Sequence, residues 1–139
     1  MTNLGFSWTD RRSTAGLACS FLEAGSRGDW DALAAVMDPH ILLRTDPIWP
    51  ERRIYGREAA IAVLREGQET LGSQTSIEEI VDLGDRLLVR QRWIIHAPHS
   101  GVEGELRVSM IATFREGRVI LVEYFLEHER ALEALEMQE

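Results

Sequence analysis

The apolar residues change their spacing near residue 75, and this change constrains the fold more than any other feature of the sequence. Before it, apolar residues recur at helical intervals, which is typical of helices that bury one face. The first such set is Leu17, Ala18, Phe21 and Leu22. After it, apolar and polar residues alternate, as they do in strands with one buried face. The sequence therefore predicts a helical first half and a sheet in the second half.

Turn residues and helix caps divide this pattern into elements. A helix is predicted over Asp10–Ala24 and is ended by Gly25 and Gly28; a second helix starts after the N-cap Asp29 and ends at Pro39. The other predicted elements are a strand over Ile41–Thr45, a helix over Arg57–Leu71, strands over Thr75–Leu83, Arg86–His96, Glu103–Phe114 and Arg118–Glu127, and a helix over His128–Met137. This order predicts an α+β fold with helices on one face of a mostly antiparallel sheet.

Length and charge narrow the class of protein. With 139 residues and 15.8 kDa, the chain has the size of one domain, residues 1–139, of which 1–9 are expected to be a flexible tail. The 23 acidic and 15 basic residues give a net charge of −8, so nucleic acid is not an expected partner. Every basic residue is an arginine, which excludes Schiff-base chemistry and a P-loop lysine.

Cysteine content and apolar run lengths bear on location. The lone cysteine, Cys19, cannot form an internal disulfide, and the apolar runs are too short for a membrane span. Residues 1–9 lack the basic start and apolar stretch of a signal peptide. We therefore expect a cytoplasmic protein that does not bind membranes.

Several short motifs follow one another along residues 15–137. They are 21–33 (FLEAGSRGDWDAL), 55–61 (YGREAAI), 84–86 (GDR), 114–119 (FREGRV), and 123–127 (EYFLE) leading into 131–135 (ALEAL). In this order they resemble the SnoaL-like branch of the nuclear transport factor 2-like superfamily. The resemblance covers almost the whole chain, although the family's fold carries many activities.

The resemblance implies a cone-shaped α+β barrel, in which a curved, mostly antiparallel sheet packs against three helices, with a short C-terminal helix added. Members include ketosteroid isomerases, limonene epoxide hydrolases, scytalone dehydratases and polyketide cyclases, usually as homodimers and without a cofactor. Their shared chemistry is acid–base work by a few polar groups in an apolar pocket. The implied partners are a small hydrophobic molecule and a second copy of the chain.

The end of the first strand holds the main catalytic candidate. Asp46, followed by Pro47, matches the general-base aspartate of the ketosteroid isomerases, and burial in an apolar pocket would raise its pKa; alternatively, it caps a turn. Arg44 shares its strand face and would bind the ligand or pair with Asp46, unless the strand parity puts it in solvent. Trp49 and Tyr55 flank the following loop and either rim the pocket or hold the loop down.

The later strands add candidates for binding. Gln91 and Trp93 share a predicted inner face, where Gln91 needs hydrogen-bond partners and Trp93 can stack on a flat substrate or pack in the core. By family register, Ile120, Val122, Tyr124 and Leu126 point inward, so that Tyr124 would donate to an oxyanion or satisfy a backbone carbonyl. Glu123 is then expected on the opposite face as a solvated or interface charge.

Some residues differ from those that the ketosteroid isomerases and epoxide hydrolases have at the same positions. Phe21 stands where the isomerases have their oxyanion tyrosine, and Arg107 where they keep a protonated aspartate; both are candidates for contact with substrate. Because the isomerase second acid and the acid–arginine–acid set of the epoxide hydrolases are missing, neither assignment is favoured. His96 and His99 lack a complete ligand set, so no metal is predicted.

Two classes of function therefore remain open, with a third less favoured. The first is an enzyme that isomerises, cyclises or dehydrates a hydrophobic carbonyl compound, with Asp46 and Tyr124 as catalytic residues. The second is a non-catalytic ligand-binding or dimer-forming protein, and the third an epoxide hydrolase. A homodimer is expected because both faces of Glu103–Phe114 carry apolar residues.

Overall fold

The structure is a computed structural model that describes residues 14–45 and 53–137. The helices are α1 (Thr14–Arg27), α2 (Trp30–Ala35), α3 (Arg57–Leu71) and α4 (His128–Met137). The strands are β1 (Met37–Arg44), β2 (Arg53–Tyr55), β3 (Gln74–Asp82), β4 (Arg86–His96), β5 (Glu103–Arg115) and β6 (Arg118–Phe125). The predicted α+β class and element order are confirmed, with the short strand β2 added.

The described strands form one open sheet in the order β2-β1-β6-β5-β4-β3. Neighbouring strands are antiparallel except β1 and β6, which run parallel. The pairing of β1 with β6 brings the first strand of the chain beside the last, and leaves β2 and β3 at the edges. The fold is cone-shaped as expected, although the sheet does not close into a complete barrel.

The two faces of the sheet bury different partners. The inner face packs against α1, α2 and α3, and side chains such as Phe21, Leu33, Leu87, Val89 and Met110 form the main core. The outer face carries a smaller cluster, in which Leu88 and Ile111 pack against Ala131 of α4. The start of α4 is held by a 2.8 Å hydrogen bond between Ser109 Oγ and His128 Nδ1. Burial and the nearby Arg90 lower the pKa of His128.

The ends of the first two helices differ from the prediction. Helix α1 continues through Gly25 to Arg27, and Gly28, with φ of +71°, follows it in the left-handed region. Helix α2 ends at Ala35, so Pro39 lies inside β1 and not at a helix end. Pro39 falls between Met37 and Leu42, where the pairing of β1 with β6 is irregular and a residue without an N–H is tolerated.

An irregularity in β6 also changes which residues point inward. Thr113 pairs with Leu121 and Phe114 with Val119, so Ile120 is an extra residue on β6. Val119, not Ile120, is therefore buried in the main core, whereas Val122 and Tyr124 face inward as expected. Leu126 lies beyond β6 and is 39% exposed, so its predicted inward position is wrong.

The Gly-Arg-Glu motif at the start of α3 has a structural role. Gly56 has φ of +92° and its N–H donates to the Ile41 carbonyl over 2.8 Å. Arg57 donates to the carbonyl oxygens of Ala34 and Met37, at 3.4 and 3.3 Å. These bonds fix α3 to the α2–β1 connection, and so set the distance between the helices that enclose the site.

Candidate ligand pocket

A cavity of about 90 Å³ lies between the inner face of the sheet and helices α1, α2 and α3. Its wall is mainly apolar, with a few polar side chains. The apolar part comprises Phe21, Leu22, Gly25, Trp30, Leu33, Leu64, Gly67, Leu71 and Trp93; the polar part comprises Ser26, Gln68, Ser73, Thr75, Gln91 and Tyr124. An apolar concavity with a few convergent polar groups is the usual form of a small-molecule site.

Alternation along β4 positions the polar end of this cavity. Leu87 and Val89 are fully buried under the helices, and Gln91 and Trp93 follow on the same face. Gln91 is 2% exposed, so its amide must find partners inside the protein or in a ligand. The sequence-based placement of Gln91 and Trp93 on the inner face agrees with the structure.

The Gln91 amide has a fixed orientation. The indole N–H of Trp93, which can only donate, lies 2.8 Å from Gln91 Oε1. The amide nitrogen therefore points the other way and lies 3.4 Å from Met110 Sδ, a weak acceptor. This leaves the Gln91 nitrogen with hydrogen-bonding capacity that no described residue uses well.

Tyr124 stands beside this pair. Its ring meets the Trp93 ring edge to face, with centroids 5.9 Å apart and an interplanar angle of 70°. Burial raises the pKa of Tyr124 far above its ordinary value, so the hydroxyl stays protonated at physiological pH. No described residue forms a hydrogen bond with that hydroxyl. Tyr124 is thus a neutral donor and not a base.

Phe21 lines the same cavity and is 4% exposed. It contributes an apolar wall where the isomerases have a tyrosine. Within the described wall, Tyr124 is the titratable side chain, and carboxylates and histidines are absent. The described wall therefore supplies no general base. The candidates Asp46 and Trp49 lie outside the described residues, as does the predicted tail 1–9.

The expectation that Arg44 lines the pocket is wrong. Leu43 is fully buried on the inner face, and alternation puts Arg44 on the outer face, opposite Glu123 of β6. The Arg44 guanidinium lies 3.1 Å from the Glu123 carboxylate. Glu123 is 2% exposed, so it is a buried partner of Arg44 and not a solvated charge.

Arg107 and Tyr55 also lie away from the cavity. Leu106 and Val108 pack toward the main core, which turns Arg107 to the outer face, where it lies 3.6 Å from Glu78. Tyr55 is 64% exposed, because Ile54 takes the buried position of β2. Tyr55 borders a separate surface cleft at the start of α3. The expectation that these two side chains line the same cavity as Gln91 and Tyr124 is therefore wrong.

Several wall residues were not predicted as site residues. Trp30 and Leu64 were interpreted only as core positions, and Gly25 as the end of a helix. A Cβ atom added to Gly25 would meet nothing within 4 Å, so the space beside this glycine is open. A glycine on the apolar face of a helix is a sequence signal for such space. It lowers helix stability relative to alanine, and it omits a side chain that would fill the space beside the helix.

Comparison with known proteins places the chain in a family. Residues 19–122 match the model of the SnoaL-like domain. The chain belongs to the SnoaL-like domain family. No protein of curated function matches the sequence. Among the described residues there is no helix long and apolar enough to span a bilayer and no cluster of metal-ligating side chains.

Solved structures share the SnoaL-like fold. A protein from Jannaschia sp. CCS1, named as a SnoaL-like polyketide cyclase, is 19% identical with a TM-score of 0.71 over 86% of this chain and 88% of its own. An NTF2-like protein of unknown function from Burkholderia pseudomallei is 18% identical with a TM-score of 0.72, over 86% and 95%. TerC, crystallised with polyporic acid, is 16% identical with a TM-score of 0.72, over 88% and 98%. At these identities the likeness establishes the fold.

Proposed function

We propose that the protein binds a small, hydrophobic, carbonyl-bearing molecule in this pocket and carries out proton transfer on it. The observation that carries the proposal is the presence of two neutral donors, the Gln91 amide and the Tyr124 hydroxyl, in a mainly apolar wall. A carbonyl oxygen has two lone pairs and can accept a hydrogen bond from each of two donors. The binding of polyporic acid by TerC supports a ligand of this general kind.

The charge of the wall favours a neutral ligand. The described wall contains no arginine, so a buried carboxylate or phosphate would lack a cation to offset its loss of hydration. A ketone or quinone oxygen loses much less hydration free energy than an anion when it leaves water, and it can accept hydrogen bonds from such donors. Trp93 and Phe21 offer flat apolar surfaces for the remainder of the molecule.

In the proposed reaction, Asp46 is the general base. It removes a proton from the carbon next to the carbonyl, and the electron pair of that C–H bond moves onto the oxygen to give an enolate. Tyr124 and Gln91 donate to this oxygen, where charge develops. When the substrate has a β,γ double bond, Asp46 returns the proton to the γ-carbon, which gives isomerisation. Attack of the enolate carbon on a second carbonyl, whose oxygen takes the proton from Asp46, gives cyclisation. A β-hydroxyl that takes this proton leaves as water, which gives dehydration.

Proton exchange tests the proposal without knowledge of the natural substrate. In D₂O, the protein should accelerate exchange of the α-protons of β-tetralone, a flat hydrophobic ketone, as followed by NMR. Asp46→Asn should reduce that acceleration at least a hundredfold, while thermal unfolding is unchanged. An Asp46→Asn protein with the wild-type exchange rate would contradict the role of Asp46.

A second candidate is a ligand-binding protein without catalysis. The observation that favours it is the absence of carboxylates and histidines from the described wall. Binding of β-tetralone measured by calorimetry, without acceleration of the exchange of its α-protons, would support this candidate. An epoxide hydrolase needs two acids near a water molecule, and the described wall supplies none.

A further inference from the structure

The cavity is too small for the ligand that its walls suit. Small-molecule sites usually have volumes of about 300–1,000 Å³, whereas this one has about 90 Å³. A ligand whose carbonyl reaches Gln91 and Tyr124 must therefore extend beyond the cavity. The direction in which it leaves is set by the neighbouring surface.

A second cleft continues the cavity outward. We call it the outer cleft; it has a volume of about 190 Å³ and is lined by Leu22, Glu23, Ser26, Arg27, Thr75 and Ile77. Three of these residues, Leu22, Ser26 and Thr75, also line the inner cavity. The two volumes together come close to the lower end of the range for small-molecule sites.

The register of β3 and β4 explains this continuity. Thr75 pairs with Trp93 and Ile77 with Gln91, so all four side chains lie on the inner face of the sheet. A step of one strand, about 4.8 Å, leads from the polar end of the cavity to the sheet edge. An irregularity after Ile77 lets both Ile77 and Ile80 face inward.

Helix α1 covers this path from above. Leu22 and Ser26 lie one helical turn apart on the side of α1 that faces β3. Ile77, at 37% exposure, remains uncovered at the outer end. The rim is polar, since Glu23 and Arg27 form a 3.7 Å ion pair there and both side chains are largely in solvent.

From this geometry we propose that the outer cleft binds an unbranched aliphatic tail of the ligand, with Ile77 as a residue that selects for tail length. The proposal rests on the proposed function of the inner cavity, which holds the carbonyl end. The tail passes between Leu22 and Thr75 and covers Ile77. A compound with a short tail fills the inner cavity only, and gains nothing from Ile77.

The experiment measures dissociation constants of methyl ketones with six, eight, ten and twelve carbons, by calorimetry on the full chain. We expect the wild-type affinity to rise about two- to fourfold with each methylene that enters the outer cleft. The increase should stop when the tail has passed Ile77. Ile77→Thr should weaken binding of the ten-carbon ketone about fivefold and leave the six-carbon ketone unchanged.

Ile94→Thr is the matched control, because Ile94 is equally apolar and 44% exposed but lies on the outer face of β4. It should bind all four ketones as the wild type does. Equal affinity for every chain length, or equal losses in the two variants, would overturn the outer cleft as a tail site. Failure of every ketone to bind would overturn the proposed function and the tail site with it.

Discussion

Tyr124 combines a buried ring with a hydroxyl that no described residue satisfies. Most buried tyrosine hydroxyls have a hydrogen-bond partner. Because Tyr124 lines the cavity, its hydroxyl can donate a hydrogen bond to the oxygen of a ligand. Since burial raises the pKa of Tyr124, this donor is present throughout the neutral and mildly alkaline range.

Tyr124→Phe should therefore affect binding and not folding. We expect the affinity for β-tetralone to fall about fivefold to tenfold, the scale of one hydrogen bond, with the urea midpoint of unfolding nearly unchanged. Wild-type affinity should be constant from pH 6 to 9, because the raised pKa keeps the hydroxyl protonated. Calorimetry across this pH range provides both measurements.

Tyr55→Phe serves as the control, since Tyr55 is 64% exposed and lies outside the cavity. It should bind β-tetralone as the wild type does. Unfolding of the Tyr124→Phe protein at a clearly lower urea concentration, with unchanged affinity, would show that the hydroxyl acts in the fold and not on a ligand.

Among the elements, α1 both packs on the sheet and borders the cavity, and these two functions require different side chains. Its buried face, with Ala18 and Phe21, packs on the sheet, whereas Gly25 leaves space beside the cavity. Glycine within a helix lowers stability by about 1 kcal/mol relative to alanine. The helix thus gives up stability at the position where a side chain would enter the pocket.

Gly25→Ala should raise the free energy of unfolding by about 0.5–1 kcal/mol, because its Cβ meets nothing in the protein. The same methyl group projects toward the cavity, so the affinity for β-tetralone should fall. Urea unfolding and calorimetry test the two effects. Gly104→Ala is the control, because Gly104 lies at an open position of β5 outside the cavity, and it should leave the affinity for β-tetralone unchanged. Unchanged affinity in Gly25→Ala would mean that the space beside Gly25 does not limit the size of the ligand.

For the whole molecule, α4 accounts for the apolar residues on the outer face. The apolar residues on both faces of Glu103–Phe114 were the ground for expecting a partner chain, and Ile111 of that segment, together with Leu88, packs against Ala131 of the same chain. The other outer-face positions of β4 and β5 are largely charged, and include the ion pair of Arg92 with Glu105. Ile94 and Leu132 remain exposed, at 44% and 42%.

The homodimer implied by the resemblance stays a prediction. Light scattering at micromolar concentration should give a mass twice the 15.8 kDa of the chain. Leu132→Ser, which removes an exposed apolar side chain from α4 on the outer face, should shift this mass toward the monomer if that face holds the interface. A monomeric mass for the wild type would contradict the prediction.

The sequence alone determined the order of the elements other than β2, and the inner face of β4. Alternation over eleven residues is unambiguous when one set is apolar, so Gln91 and Trp93 could be placed before the structure was known. The family could also be identified, because its motifs depend on local turns and helix starts. These features are fixed by neighbours in the chain.

Only the tertiary structure decided which way Arg44 and Arg107 point and that Gly25 lies within a helix. Both faces of β5 and β6 are partly covered, by helices on one side and α4 on the other, so an apolar pattern cannot distinguish them. The irregularities in β1, β3 and β6 shift parity within a strand. Side-chain direction there depends on pairing between strands far apart in the chain, and that pairing brings Gln91, Trp93 and Tyr124 together.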